Sequence, residues 1–447
     1  MERATLPHPP LTKTGSLPPG PRAPAFLQGL RYMRDPLGFL AGYRRRYGDV
    51  FTVHFPFFGK IVYAASPELV KAVFTGSPAV FHAGEANATV LEPALGPNSV
   101  LTLDDEPHMS QRKLLLPPFH GERVQRYGEL IREVTRREME SWPVGRPFAL
   151  RPHTQRITLA VILRAVFGIE DAERVDRATA LIDKFSDRVT VITKFPNLRR
   201  DLGPFSPWRR FLAARAELDE FLYEEIALRR AEAAAGERDD VLSLLLRARH
   251  DDGSAMGDEE LRDELLTVVG AGHETTATAL AWAMERLLRT PRALERLRES
   301  VAAGEEDYLE ATVKETLRVR PVIIDVARKL TAPAEIGGYE LPAGSFVLPA
   351  IGALHFREDV FADPQEFRPE RFLNAKTETY AWIPFGGGVR RCVGAAFAEY
   401  EMRIVLREFV ERARLSAPDP EPEPVRIRNI TLAPGKGTRV VLERPLA

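Results

Sequence analysis

Apolar residues recur every three or four positions over most of the chain. They do so longest over residues 258–289, where Leu261, Leu265, Val268 and Val269 share one face. A second clear helix covers residues 395–413, with Met402, Val405, Leu406, Phe409 and Val410 at the same spacing. Further helices are predicted over 36–46, from a start at Ser66-Pro67-Glu68, over 122–167, over 172–188, and from beyond Trp208 to about 235. Strand patterning is confined to 49–63, read as two strands joined through Pro56 and Gly59, to 326–348, and to 425–432 and 439–442. The pattern predicts a mostly α fold with a minor β region. Residues 1–22 carry Pro7, Pro9, Pro10, Pro18, Pro19 and Pro21 and read as an extended leader, which leaves a single domain over 23–447. Residues 81–103 show no period and read as a loop long enough to be functional. Residues 194–208, with Phe195, Pro196, Pro204, Phe205 and Pro207, join two helices in the manner of a lid.

Composition narrows the class. Of 447 residues, 44% are hydrophobic and 28% charged, and the formal net charge is −1, which gives no electrostatic case for nucleic acid. One cysteine permits no internal disulfide and fits a reducing, cytoplasmic setting. No apolar run of about 18 residues occurs, so neither a membrane anchor nor a secretory signal is expected.

That one cysteine, Cys392, closes the run Phe385-Gly-Gly-Gly-Val-Arg-Arg-Cys and stands just before the 395–413 helix, whose N-terminus favours a thiolate. Three glycines ahead of it let the backbone approach a flat ligand closely, and a thiolate there suits a soft metal. A small buried apolar cysteine is the plainer alternative. A phosphate cradle fails for want of a Lys-Ser/Thr pair, and a nucleophile would need a histidine partner. His108 and Arg112 lie four apart, on one helical face, and could reach one anion. In Ala271-Gly-His-Glu-Thr-Thr276 a glycine and two threonines interrupt a good helix. There the Thr275 hydroxyl can compete for the Ala271 carbonyl and open a notch for O2 and water, the alternative being a glycine kept for packing. Glu315 and Arg318 sit three apart on a largely apolar helix, where a buried pair needs further partners. His355 reads as structural.

The order Phe-Gly-x-Gly-x-Arg-x-Cys-x-Gly, ending at Gly394, resembles the haem-binding loop of the cytochrome P450 family. The Ala271 to Thr276 run, Glu315-Thr-Leu-Arg318 and Phe367-Arg-Pro-Glu-Arg-Phe372 match three further family motifs in order. The resemblance implies the P450 fold with haem b buried in it, Cys392 as axial iron ligand, and Phe385 and Gly394 beside it. His108, Arg112, Arg328 and Arg390 would hold the propionates, with Ala271 near the ring. Glu274 and Thr275 would deliver protons. Glu315, Arg318 and Arg371 would form a structural triad. The implied activity is insertion of one atom of O2 into a lipophilic small molecule such as a fatty acid, terpenoid, steroid or polyketide. Electrons would come from NAD(P)H through a separate ferredoxin reductase and ferredoxin, to a monomer. A peroxide-using peroxygenase of the same fold and a non-catalytic haem sensor or carrier are the alternatives. Val268, Val269, Ile324, Asp325 and Thr431 would line the substrate pocket. Asp325 would either anchor a hydroxyl or amine of the substrate or be satisfied locally by backbone N–H groups, Arg328 or solvent.

Overall fold

The computed structural model describes residues 17–194, 198–203, 205–232, 238–373 and 378–444. Most of the proline-rich leader, and Phe195, Pro196 and Pro204 of the suggested lid, lie outside the described residues. The chain forms two compact units, one of 17–86, Ile324–Pro364 and Glu378–Arg391, the other of Asn87–Ile323, 365–373 and 392–444.

A five-stranded sheet organises the first unit, in the order Val50–Phe55, Gly59–Ala64, Phe346–Pro349, Arg328–Leu330, Phe81–His82. Only the pairing of Ile61 with Phe346 and its successors is parallel; the others are antiparallel. Val50, Val62, Val73, Leu330, Leu341 and Val347 bury one face as a core. The end of the leader lies along the first strand: Thr52 donates from its backbone N to Pro19 O (2.9 Å) and from Oγ1 to Pro18 O (2.8 Å). A Cβ on Gly20 would stand 1.9 Å from the Thr52 carbonyl oxygen, so glycine alone fits. Ser66 caps the Pro67–Thr75 helix by accepting from Leu69 N. A helix over Ala25–Arg34 has no counterpart in the sequence-based expectation.

The second unit is helical and built on Asp258–Leu288, 31 residues or about 46 Å long. Glu260 starts it by accepting from the Gly257 backbone N (2.7 Å). Its middle is made of small residues, Ala277, Ala279, Ala281 and Ala283, all fully buried, and the Leu150–Phe167 helix packs on this stretch. Three hydroxyls stitch it in place: Thr158 donates to the His273 carbonyl, Thr154 to that of Ala277 and Thr438 to that of Ala281, at 2.9 to 3.0 Å. Smaller elements complete the unit, among them a sheet ordered Pro147–Ala149, Arg439–Leu442, Leu415–Ser416.

Three expectations need correction. The 122–167 stretch is not one helix but Glu122–Arg126, Gly128–Met139, the strand Pro147–Ala149 and Leu150–Phe167; Pro143, Gly145 and Pro147 cannot continue a helix. Residues 81–103 are not all loop, since Gly84–Leu95 is helical. Pro93 near its end and its half-buried setting erase any apolar stripe. Residues 425–432 are not one strand but most of a hairpin, Val425–Arg428 paired with Thr431–Pro434. The reversal is at Asn429, whose φ of 54° places it in the left-handed region that asparagine tolerates.

Candidate active site

Cys392 is exposed and leads through Gly394 into the Ala395–Arg412 helix, with the first-turn N–H groups directed back toward it. The preceding residues, through Arg391, fold with the sheet unit. Their glycines divide by role. A Cβ on Gly387 would meet the Phe74 ring at 2.4 Å, and one on Gly388, at φ 65°, would meet the Phe74 carbonyl oxygen at 2.1 Å. These two are glycines because the turn rides on the end of the Pro67–Thr75 helix. Gly386, at φ 68°, is the one of the three that turns its Cβ position to open space. Phe385 is half-buried with its ring edge-on to Trp382. Phe74 also carries Arg328, whose guanidinium carbon lies 5.5 Å from the ring centroid and which is buried. Arg390 is half-buried at the end of a single 3₁₀ turn.

In the helical unit, His108 is buried and Arg112 half-buried, one turn apart on Asp105–Leu115. The segment leading into that helix is tied to the long helix. Asp263 accepts from Asn98 N and Nδ2, Glu264 accepts from Val100 N (2.8 Å), and the Thr267 hydroxyl meets that of Ser99. Burial pushes the Glu264 carboxyl well above the usual carboxylate range.

One turn further along, Thr275 Oγ1 donates to the Ala271 carbonyl at 2.7 Å. Gly272 beside it is a packing glycine, since a Cβ there would meet Ile162 at 2.9 Å. Glu274 is not alone. Its Oε1 lies 3.2 Å from Arg151 Nη2 and 3.4 Å from Arg428 Nε, and its Oε2 accepts from Asn429 Nδ2 at 3.4 Å. Burial, with Arg428 beside it, lowers the Arg151 guanidinium to about 10, and Glu274 opposes the shift. Val268 is half-buried; Val269 and Thr431 are buried, and Thr431 Oγ1 donates to the Arg428 carbonyl.

Glu315 and Arg318 are fully buried and bidentate, at 2.7 and 2.8 Å. Glu315 Oε1 also accepts from Arg368 N (2.8 Å) and Arg371 Nε (3.3 Å), and Arg318 Nη2 donates to the Glu366 carbonyl. His355 Nε2 accepts from Ile383 N.

Ile324 is buried in the sheet unit, and next to it Asp325 has partners that neither sequence reading anticipated. Its Oδ2 accepts from Tyr63 OH at 3.1 Å and Tyr32 OH at 3.3 Å. A substrate anchor needs a carboxylate open to the ligand, and here one oxygen is committed to two phenols. Burial raises the carboxyl to about 6, against the lowering effect of the two hydroxyls. The folded chain therefore binds an extra proton between pH about 4 and about 6. Stability falls as pH rises through that window and is level above it, by roughly 2–3 kcal/mol in all. Asp325→Asn is expected to abolish this slope in urea unfolding; an identical slope in the variant contradicts the assignment.

The family model described as Cytochrome P450 matches residues 17–440. The chain belongs to the cytochrome P450 family. A Mycobacterium tuberculosis protein provisionally named cytochrome P450 135B1 is 42% identical over 438 residues, 96% of this chain and 92% of its own. A Mycobacterium bovis protein provisionally named cytochrome P450 138 is 39% identical over 439 residues, 98% of each. Among solved structures, retinoic acid-bound cyanobacterial CYP120A1 aligns with a TM-score of 0.83 over 96% of this chain and 99% of its own. The cytochrome P450DA heme domain aligns at 0.84 over 97% and 99%; both are 24% identical and establish the fold. This P450 is accordingly mostly helical with a small β region, a haem-thiolate monooxygenase by family.

The residues present fit a haem. Among the described residues no cluster of three or more His, Cys, Asp or Glu could hold an ion, so a metal at the Cys392 sulfur must bring its remaining ligands with it, as a macrocycle does. The exposed thiol at a helix start and the open side of Gly386 are consistent with that. Sequence reasoning missed Arg151, Arg428 and Asn429 around Glu274, and Tyr32 and Tyr63 around Asp325. In both sets the partners stand more than a hundred residues from the carboxylate, Tyr32 and Tyr63 more than two hundred, and no local spacing announces them.

Proposed function

We propose that this P450 inserts one atom of O2 into a lipophilic small molecule, chiefly as a hydroxylation. Electrons come from NAD(P)H through a separate ferredoxin reductase and ferredoxin, to a cytoplasmic monomer. Haem b, when bound, supplies the O2 activation and the oxygen insertion. Cys392 would hold it through a thiolate, and Phe385, Ala271 and Gly394 are the residues that would flank it. His108, Arg112, Arg328 and Arg390 would neutralise its propionates through charge-assisted hydrogen bonds. Val268, Val269, Ile324 and Thr431 line the substrate side.

The observation that carries this reading is the pairing of a shared carboxylate with a diverted hydroxyl on one turn of the long helix. Glu274 is divided among Arg151, Arg428 and Asn429, and Thr275 is aimed at the Ala271 carbonyl. Arg151 keeps the carboxylate in place, while the longer contacts to Arg428 and Asn429, both 3.4 Å, can give way to water at small cost, as proton delivery requires. The Thr275 hydroxyl holds such a water and keeps protons arriving in step with electrons. Thr275→Ala is expected to bind substrate and consume NADPH at rates near the parent's while diverting most of the electrons to free hydrogen peroxide. Product formed per NADPH, measured on any ligand that shifts the haem spin state, is the test. Equal coupling in variant and parent removes the proton-delivery role.

A further inference from the structure

The Ala25–Arg34 helix is inside out. An ordinary surface helix turns its apolar stripe to the core and its polar face to water. Here Gln28 is the residue the helix buries, its side chain donating to the Ala23 carbonyl (2.6 Å) and accepting from His54 N (2.9 Å). One turn on, Tyr32 points inward to Asp325 and packs edge-on against Phe39 and Phe55. Gly29, between them, faces Pro56 of the neighbouring hairpin, with room for a Cβ only 3.2 Å from its ring. The helix is thus fastened by polar groups and by a glycine, while Phe26, Leu27, Leu30 and Met33 face water. Past Pro56 the hairpin tip adds Phe57, held at φ 70°, and Phe58. These six side chains are between 45% and 72% exposed. They are six of the fourteen exposed large apolar residues among the described residues, gathered within 33 positions of a 447-residue chain. Scattered single exposures need no explanation; a contiguous patch does.

The charges beside the patch are mostly positive, four cations against the single carboxylate of Asp35. Arg22, Arg31, Arg34 and Lys60 are all exposed, and none has an ion-pair partner among the described residues. The helix itself contains no acidic residue, and Asp35, just beyond it, is turned to the next helix as the cap accepting from Gly38 N. An apolar strip of Phe, Leu and Met bordered by unpaired arginines is complementary to a surface that is apolar underneath and anionic on top. We propose that this face, helix Ala25–Arg34 with the Phe57-Phe58 tip, docks peripherally on an anionic lipid bilayer. The rings and Leu30 enter the acyl boundary, and the arginines remain among the phosphates. No helix of the described chain is long and apolar enough to cross a membrane, so the contact is a reversible one.

Flotation of the haem-loaded full chain with vesicles tests this. Vesicles of mixed phosphatidylglycerol and phosphatidylcholine are expected to carry the protein up the gradient, and pure phosphatidylcholine vesicles much less. Leu30→Ser combined with Phe57→Ser is expected to lower the partition coefficient by more than roughly tenfold. Arg31→Gln with Arg34→Gln should lower it by roughly tenfold on the anionic vesicles alone. The spectrum of the reduced carbonyl complex, unchanged in both variants, shows that the fold survives. The proposal is overturned by absence of flotation with anionic vesicles, or by flotation that neither pair of substitutions reduces. It is equally overturned if the parent forms a concentration-dependent dimer that Leu30→Ser and Phe57→Ser abolish while vesicles bind neither protein, which would make a second copy the occupant.

Discussion

Cys392→Ser is expected to lose the long-wavelength band of the reduced carbonyl complex and, with it, turnover. The thiol is the one thiolate-forming side chain in the sequence, and the helix that begins at Ala395 lowers the cost of its ionised form. Serine is nearly isosteric, so the loop around it need not change. Its hydroxyl remains protonated at neutral pH and is a harder, less donating ligand. Even outer-shell substitutions at metal sites typically cost about 10–100-fold, and loss of the ligand itself should exceed that. A variant whose carbonyl spectrum matches the parent's would show that sulfur is not the ligand.

The next largest effect is expected at Glu315. Its carboxylate is fully buried and serves Arg318 twice, Arg371 once and the Arg368 backbone N–H once. Glu315→Ala leaves the buried Arg318 guanidinium and the Arg368 backbone donor without the carboxylate they share. Breaking a buried pair in this way costs about 3–5 kcal/mol, a large share of the roughly 5–15 kcal/mol that holds a domain folded. The variant should accumulate poorly and carry little haem, and Glu315→Gln, which keeps one oxygen acceptor, should fall between. Denaturant unfolding of purified protein measures the difference. A fully haem-loaded Glu315→Ala protein as stable as the parent would mean that Arg318 is satisfied by other groups.

What the chain reveals of itself before folding depends on distance along it. The Asp258–Leu288 helix and the Ala395–Arg412 helix match their expected spans to within a residue or two, because apolar periodicity over several turns is a local signal. The Thr275 to Ala271 hydrogen bond was legible for the same reason, being an interaction across one turn. The Ala25–Arg34 helix was not: its buried face is polar and its apolar residues face outward, so the rule that apolar means inside misreads it. Gly272, Gly387 and Gly388 each invited a functional explanation and have a steric one in Ile162 and Phe74, residues that no spacing connects to them. The partners of Glu274 and Asp325 come from distant segments brought together by the fold alone.

Oxygen bookkeeping on a product tests the central claim most directly. With a ligand that shifts the haem spin state, the protein is supplied with NADPH, ferredoxin reductase, ferredoxin and isotopically labelled dioxygen, and the product is analysed by mass spectrometry. The expected result is one labelled oxygen per product molecule, with formation ceasing when ferredoxin is left out. Product that carries oxygen from hydrogen peroxide, formed at the same rate without ferredoxin, would contradict an O2-dependent monooxygenase.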